Sequence, residues 1–320
     1  MKPRRETYET YWKFAALRQE IFFNRLTGQE PPWSDDPILN TYKFCNTYRA
    51  SDRVSQYLIR HVIYSGDQSP SEVVFRILLF KLFNKIETWE YLMTQLNEVT
   101  LKNFNTDHYD QLLSTLQRSS PIYNNAYISC ATKAFGFDKK HQNHLALIHQ
   151  MLVKDEITKK IISAKTFESV FKLLRAYPLI GDFMAYQLAT DINYSEVIDF
   201  DENDFTVVGP GSQRGLKKCF VDLGGKTPGY IIRWMQEHQE QEFRRLGIEF
   251  HSLWGRPLML IDCQGLFCET DKYCRVAFPE LASNRVRIKA TFSSKYSPIE
   301  YFYPPKWNIN EKIKKLIKSI

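Results

Sequence analysis

The chain has 320 residues, 43% of them hydrophobic and 25% charged, which supplies a substantial core and excludes disorder over most of its length. A formal charge of +7 suits a polyanionic partner, because Lys and Arg displace counterions condensed on phosphates, although many enzymes of small metabolites are equally basic. No run of about 18 apolar residues occurs, so no membrane span is expected, and six cysteines are too sparse for a disulfide scaffold.

In chain order, Tyr8–Leu26 reads as a helix, aromatic on one side and charged on the other, stopped by Gly28, Pro31 and Pro32. Leu39–Tyr64 reads as a second long helix. Asn46, Arg49, Arg53 and Gln56 recur on it at helical spacing, with Asp52 beside them, and form a candidate base pocket. Ser69–Glu72 caps Val73–Ile86, which is apolar on nearly all sides and therefore a buried pillar. Asp107–Arg118 is helical. Asn124, Asn125 and Tyr127, in a loop-to-helix stretch, are further pocket candidates. His141–Lys159, Thr166–Ala176, Asp182–Ile192 and Pro228–Leu246 complete the amphipathic helices. In Leu258–Tyr273 the polar residues Asp262, Gln264, Glu269, Asp271 and Lys272 interrupt an apolar run, and buried polar groups need partners. Asp262, Gln264 and Lys272 join the candidate pocket. Strand-like alternation occurs at Val286–Phe292 and Ile299–Tyr303. Lys312, Lys314, Lys315 and Lys318 form a basic amphipathic tail, read as a solvated helix face. The class is mainly α with minor C-terminal β. It is drawn as a single domain with an N-terminal lobe over about 1–160 and a second lobe over about 161–320.

Phe171–Phe183 reads FKLLRAYPLIGDF: a helix ending at Tyr177-Pro178, a tight turn through Leu179-Ile180-Gly181, and a new helix at Asp182. Amides left free at the start of that helix can hold a phosphate. Tyr177, Leu179 and Gly181 are the candidate strand grip. Asp199, Asp201, Glu202 and Asp204 crowd the stretch that follows. Gly209 and Gly211 open another helix with Arg214 and Lys217 in its first turns, where cations oppose the helix dipole unless an anion sits nearby. These four residues form a second candidate phosphate contact. Gly224–Thr227 resembles the end of a phosphate-binding loop, but Phe220 stands where the motif requires glycine, so no such site is assigned. Cys263, Cys268 and Cys274 lack a CxxC pair and are read as buried thiols, not a metal site.

The hairpin resembles that of helix-hairpin-helix DNA glycosylases. In that family a catalytic Asp follows the hairpin by about twenty residues, which falls on Asp201, with Asp204 the close second. The Schiff-base Lys position is Phe183, which implies base removal without lyase activity. A longer resemblance rests on TYRASDRVSQYLIRHVIY (47–64), FKLFNKIETW (80–89), GPGSQRGLKKCF (209–220) and LIDCQGLFCETDKY (260–273). These stretches resemble α-glutamyl/putrescinyl thymine pyrophosphorylases and the helical domain of 5-hydroxymethyluracil DNA kinases, a group that includes bacterial phage-defence glycosylases. The resemblance implies a glycosylase-like two-lobed fold. It also implies action on double-stranded DNA with modified bases, without a cofactor; the sparse cysteines and the lack of a long apolar run give the expectation of a cytoplasmic chain off the membrane, taken as a monomer. The leading expectation is excision of hypermodified pyrimidines, such as glucosylated hydroxymethyl bases. The alternatives are a base-hypermodification enzyme (a 5-hydroxymethyluracil DNA kinase or pyrophosphorylase-like transferase) and a non-catalytic modified-DNA-binding module.

Overall fold

A computed structural model describes residues 1–125, 130–281, 285–288, 290–293 and 299–318. The fold is mainly α. Contacts divide the chain into two compact units, 53–204 and 1–52 with 205–320. The sequence reading drew consecutive lobes meeting near residue 160; here the first and last segments share a unit and 53–204 is inserted between them.

The chain begins with a short strand β1 (Lys2–Pro3), then α1 (Arg5–Leu26), whose buried face carries Tyr11, Phe14, Ala15, Arg18 and Phe22, and α2 (Pro37–Thr41), capped by the Asp36 carboxylate. The long helix expected over Leu39–Tyr64 is broken. After α2 the chain runs irregularly to a 3-10 turn at Arg49–Ser51, and only α3 (Arg53–Tyr57) with a π-helical turn at Leu58–Ile63 is helical beyond it.

In the inserted unit, α4 (Pro70–Phe83) is buried from Glu72 to Phe83, as a helix apolar all round must be, and Asn84 ends it in the left-handed conformation at φ 49°. Of its two buried cations, Arg76 donates to the Val62 and Asp67 carbonyls at 2.8 and 2.7 Å, and Lys81 meets the buried Asp191 at 3.3 Å. Around it lie α5 (Ile86–Leu96), α6 (Thr106–Gln117), α7 (Lys140–His149), α8 (Ile157–Ser163), α9 (Phe167–Arg175) and α10 (Asp182–Asn193). The expected His141–Lys159 helix is interrupted by a π-helical turn at Gln150–Lys154 and by Glu156 at φ 47°.

The returning chain forms α11 (Pro210–Cys219), the strand β2 (Phe220–Asp222), α12 (Pro228–Glu237), α13 (Gln239–Arg245), α14 (Leu260–Ala277) and α15 (Asn310–Lys318). The break between α12 and α13 falls at His238, whose ring lies 2.8 Å from the Trp234 carbonyl and competes with the helix for it. β2 pairs antiparallel with β1. The strands expected near the C-terminus are not seen among the described residues, Lys289 and 294–298 lying outside them. There the backbone of 290–292 bonds to Thr41 and Lys43 through one isolated bridge.

The tightest contact in this unit joins α11 to α14. A Cβ placed on Gly211 would lie 2.3 Å from the Cys268 sulfur, and one on Gly215 would lie 1.9 Å from the Phe267 carbonyl oxygen. Two glycines one turn apart therefore let the helix backbones meet. Asp271, fully buried on α14, receives Arg214 at 3.1 Å, Lys218 at 3.1 Å and Arg275 at 2.6 Å. Burial alone would raise the Asp271 carboxyl, but Arg275 and Lys218 hold it below the usual carboxylate range.

Gly215→Ala should cost about 2–3 kcal/mol in denaturant unfolding, because backbone must move. Gly229→Ala, where a Cβ meets nothing within 4 Å, should be neutral or stabilising. Asp271→Asn should cost about 3–5 kcal/mol at neutral pH by stranding buried cations. Since the folded carboxyl value is depressed, that difference should shrink as pH falls below the unfolded-state value of about 4, and unfolding measured from pH 7 to 3 checks the slope.

Candidate functional site

Two polar faces of α14 point in opposite directions, because residues seven apart share a helix side. Asp271 and Arg275 face α11. Asp262, Glu269 and Lys272 face the irregular segment 43–52. Asp262 accepts the Arg49 amide at 2.8 Å and caps its own helix through the Met259 amide at 3.0 Å. Glu269 accepts the Cys45 amide at 2.9 Å and the Lys272 ammonium at 2.6 Å.

The segment closes on itself as well. Asp52 accepts the Asn46 amide at 2.7 Å, and the Asn46 side chain donates to the Ser51 carbonyl at 2.6 Å. Thr47 donates to the Ala15 carbonyl of α1, and Ser51 meets the Tyr303 hydroxyl at 2.7 Å. Side chains thus take the amides a helix would have used, which is why the 3.6-residue pattern here forms no helix.

Arg18 of α1 completes the cluster. It is 8% exposed, and its NH1 group has no hydrogen-bond partner among the described residues; the neighbouring Gln19 is fully buried with both amide atoms unpartnered. Burial pushes the Asp52 carboxyl up to about 6, against the Asn46 amide and the Arg18 charge. Burial lowers Arg18, and Asp52 counters it. Asp52 and Glu269 together push the Cys45 thiol well up. Burial opposes the Lys272 charge, but Glu269 raises it. Cys45 is exposed, so the cluster has an open side. It offers cationic donors (Arg18, Lys272) and a carboxylate acceptor (Asp52) with a titration near neutrality.

Four of the expected pocket residues meet here: Asn46, Arg49, Asp262 and Lys272. Arg53, Gln56 and Asn124 belong to the other unit, so the single helical face expected to join Asn46 to Gln56 does not exist. The Gln264 carbonyl accepts Ser212 of α11 on the opposite side of α14. Tyr127 lies outside the described residues. Arg18 was missed, although a cation in line with Phe14 and Phe22 on an aromatic stripe is a readable signal.

The other expected sites take different forms. The turn between α9 and α10 exists, but its left-handed residue is Leu179 at φ 66°, not Gly181, which sits in open space. Tyr177 hydrogen-bonds Asp155, and Arg175 pairs with Asp182 in the first turn of α10. Asp201 is exposed and accepts the Asn203 amide of its own turn at 2.8 Å, and Asp204 is exposed three residues beyond Asp201. Gly211 serves the approach of α11 to α14, and Arg214 spends its charge on Asp271, so neither matches the phosphate loop expected at Gly209–Lys217. Gly209 is the buried residue preceding α11, and Lys217 is exposed. A cleft of about 430 Å³ lined by Arg5, Tyr8, Glu9, Trp234, Glu242 and Arg245 contains none of the expected residues.

A family described as "5-hmdU DNA kinase, helical domain" matches residues 5–283. A protein named 5-hmdU DNA kinase, from Bacillus phage SP10, is 27% identical over 293 residues, covering 84% of this chain and 45% of that protein. The chain therefore spans less than half the length of this curated relative. No solved structure matches. These matches overturn the expectation of a DNA glycosylase: the relative is named a kinase, which transfers a phosphoryl group and does not hydrolyse an N-glycosidic bond. Asp201 and Asp204 lose their role as excision catalysts with it.

Asp52 supplies a pH test. Its folded-state value, about 6, exceeds the ordinary carboxylate value of 3.8, so its contribution to stability is complete below about pH 4 and is lost as pH rises through about 6. Wild type should therefore lose stability relative to Asp52→Asn between pH 4 and 7, measured by denaturant unfolding. A difference that does not change with pH contradicts the assignment.

Proposed function

The chain belongs to the 5-hmdU DNA kinase helical-domain family, and from that premise we propose that it serves phosphoryl transfer to 5-hydroxymethyluracil in DNA by holding the modified base. The observation that carries this reading is the family match across residues 5–283. The Arg18–Asp52–Lys272 cluster gives it a place. A uracil ring offers two carbonyl acceptors and one imide N–H, which complement two cationic donors and a carboxylate. Arg18 NH1 and the Gln19 amide, buried without partners among the described residues, are groups a bound base can satisfy.

In such a transfer the hydroxymethyl oxygen attacks the terminal phosphorus of a nucleoside triphosphate, the diphosphate leaves, and the hydroxyl proton passes to a base. Asp52, largely ionised above pH 6, is the candidate acceptor. The donor is not placed at Gly224–Thr227. There Thr227 caps α12 through the Tyr230 amide, and Lys226 lies over the Tyr230 ring at 4.9 Å.

The test is binding of oligonucleotides that differ only in 5-hydroxymethyluracil or thymine. Wild type should prefer the hydroxymethylated strand, Asp52→Asn should reduce that preference at least about tenfold, the scale of one lost charged hydrogen bond, and Arg18→Met, which removes a contact to a ring carbonyl that both bases share, should weaken both strands by a similar factor. Equal affinity of wild type for both strands would falsify the reading.

A further inference from the structure

The basic excess of the chain is not shared between its units. Residues 1–52 with 205–320 hold 27 Lys and Arg against 18 Asp and Glu, a formal +9, whereas 53–204 hold 16 against 18, a formal −2. The α9–α10 turn, expected to hold a DNA strand, lies in the acidic unit with Asp155 and Asp182 beside it. A polyanion is drawn to the other unit.

One place there combines cations with aromatic rings. The turn Ser252–Arg256 holds Trp254 at φ 53°, a left-handed conformation costly for a bulky residue and found where surrounding structure imposes it. Ser252 imposes it: its carbonyl accepts the Trp254 amide at 2.8 Å and its hydroxyl accepts the Gly255 amide at 3.0 Å. Trp254 remains partly exposed. Arg256 lies over the Trp307 ring at 3.6 Å. α15 is tied to the same turn by Lys312, which donates to the Trp254 carbonyl at 3.0 Å, and anchored by the buried Ile313. It carries Lys315 and Lys318, both exposed, one turn apart. A solvated tail needs neither the strained tryptophan nor the tie to it.

We infer that this platform, Trp254 and Trp307 fringed by Arg256, Lys312, Lys315 and Lys318, is a contact surface for an unpaired DNA strand. Phosphates lie along α15 and a base stacks on Trp254. Trp254 and Arg256 lie within the residues matched by the family, whereas Trp307 and α15 lie beyond them. The inference rests on the reading that this chain acts on DNA, but not on the choice of base.

The experiment uses unmodified single-stranded DNA and measures fluorescence anisotropy across a salt series. Lys315→Glu with Lys318→Glu, both on an exposed helix face, should weaken binding at least tenfold and lower the salt slope by about 1.4, the loss of two single-strand phosphate contacts. Lys159→Glu with Lys160→Glu, in the acidic unit, should leave affinity within twofold. Trp254→Gly, which relieves the left-handed strain, should weaken single-strand binding more than duplex binding. Wild-type affinity in the α15 double variant, or an equal loss in the α8 double variant, overturns the surface. Tighter binding to anionic phospholipid vesicles than to DNA overturns the choice of partner. Because the strand lacks a hydroxymethyl group, a failed base preference at Arg18 and Asp52 leaves this result unchanged.

Discussion

The contact between α11 and α14 is closer than any side chain at Gly211 or Gly215 would permit. That approach puts Arg214 and Lys218 within reach of a carboxylate on the far helix, and Asp271 answers them together with Arg275. A buried charge of this kind is tolerable only when paired, so the helix crossing and the ion cluster require one another. With one polar face of α14 fixed against α11, its opposite polar face is fixed in orientation as well. Asp262 and Glu269 then meet the amides of Arg49 and Cys45 and hold segment 43–52 in its irregular course. The candidate site is thus a consequence of packing on the other side of the same helix.

That segment explains how a basic, mostly helical chain can present a polar cluster without a loop exposed on all sides. Its amides are bound by carboxylates, so the side chains of Asp52 and Cys45 are positioned by main-chain hydrogen bonds. Burial then sets the electrostatics. It raises Asp52 into the range where a carboxyl can exchange a proton near neutral pH, and it leaves Arg18 with a donor that the described protein does not satisfy. A planar ring with two acceptors and one donor meets these needs, which is why the pyrimidine assignment is placed here and not at the exposed acids that follow α10.

Much of this was legible in the residues, though not always for the right reason. The run of α4, apolar on nearly all sides, reads as a buried helix and is one, and the polar residues within α14 signal the need for partners that they find. The break in Leu39–Tyr64 was not legible, because it is caused by Asp262 and Glu269, more than 200 positions away, and local periodicity cannot register them. Gly211 and Gly215 carry the spacing of a close helix crossing, but Gly211 was read, with Gly209 and the neighbouring cations, as a phosphate loop. The hairpin turn was located correctly, yet its left-handed residue is Leu179, and the acids beyond it suggested excision chemistry. Residue types alone do not separate a carboxylate that stabilises an oxocarbenium ion from one that closes a turn, as Asp201 does.

The central claim is that the cluster around Arg18 and Asp52 holds a 5-substituted uracil. The most direct measurement is a crystal structure with a short single strand carrying one 5-hydroxymethyluracil. The account predicts the base ring between α1 and segment 43–52, with Arg18 NH1 within hydrogen-bond distance of a ring carbonyl and Asp52 facing the imide N–H or the hydroxymethyl oxygen. A base bound elsewhere, with Arg18 and Asp52 contacting only water, would contradict it.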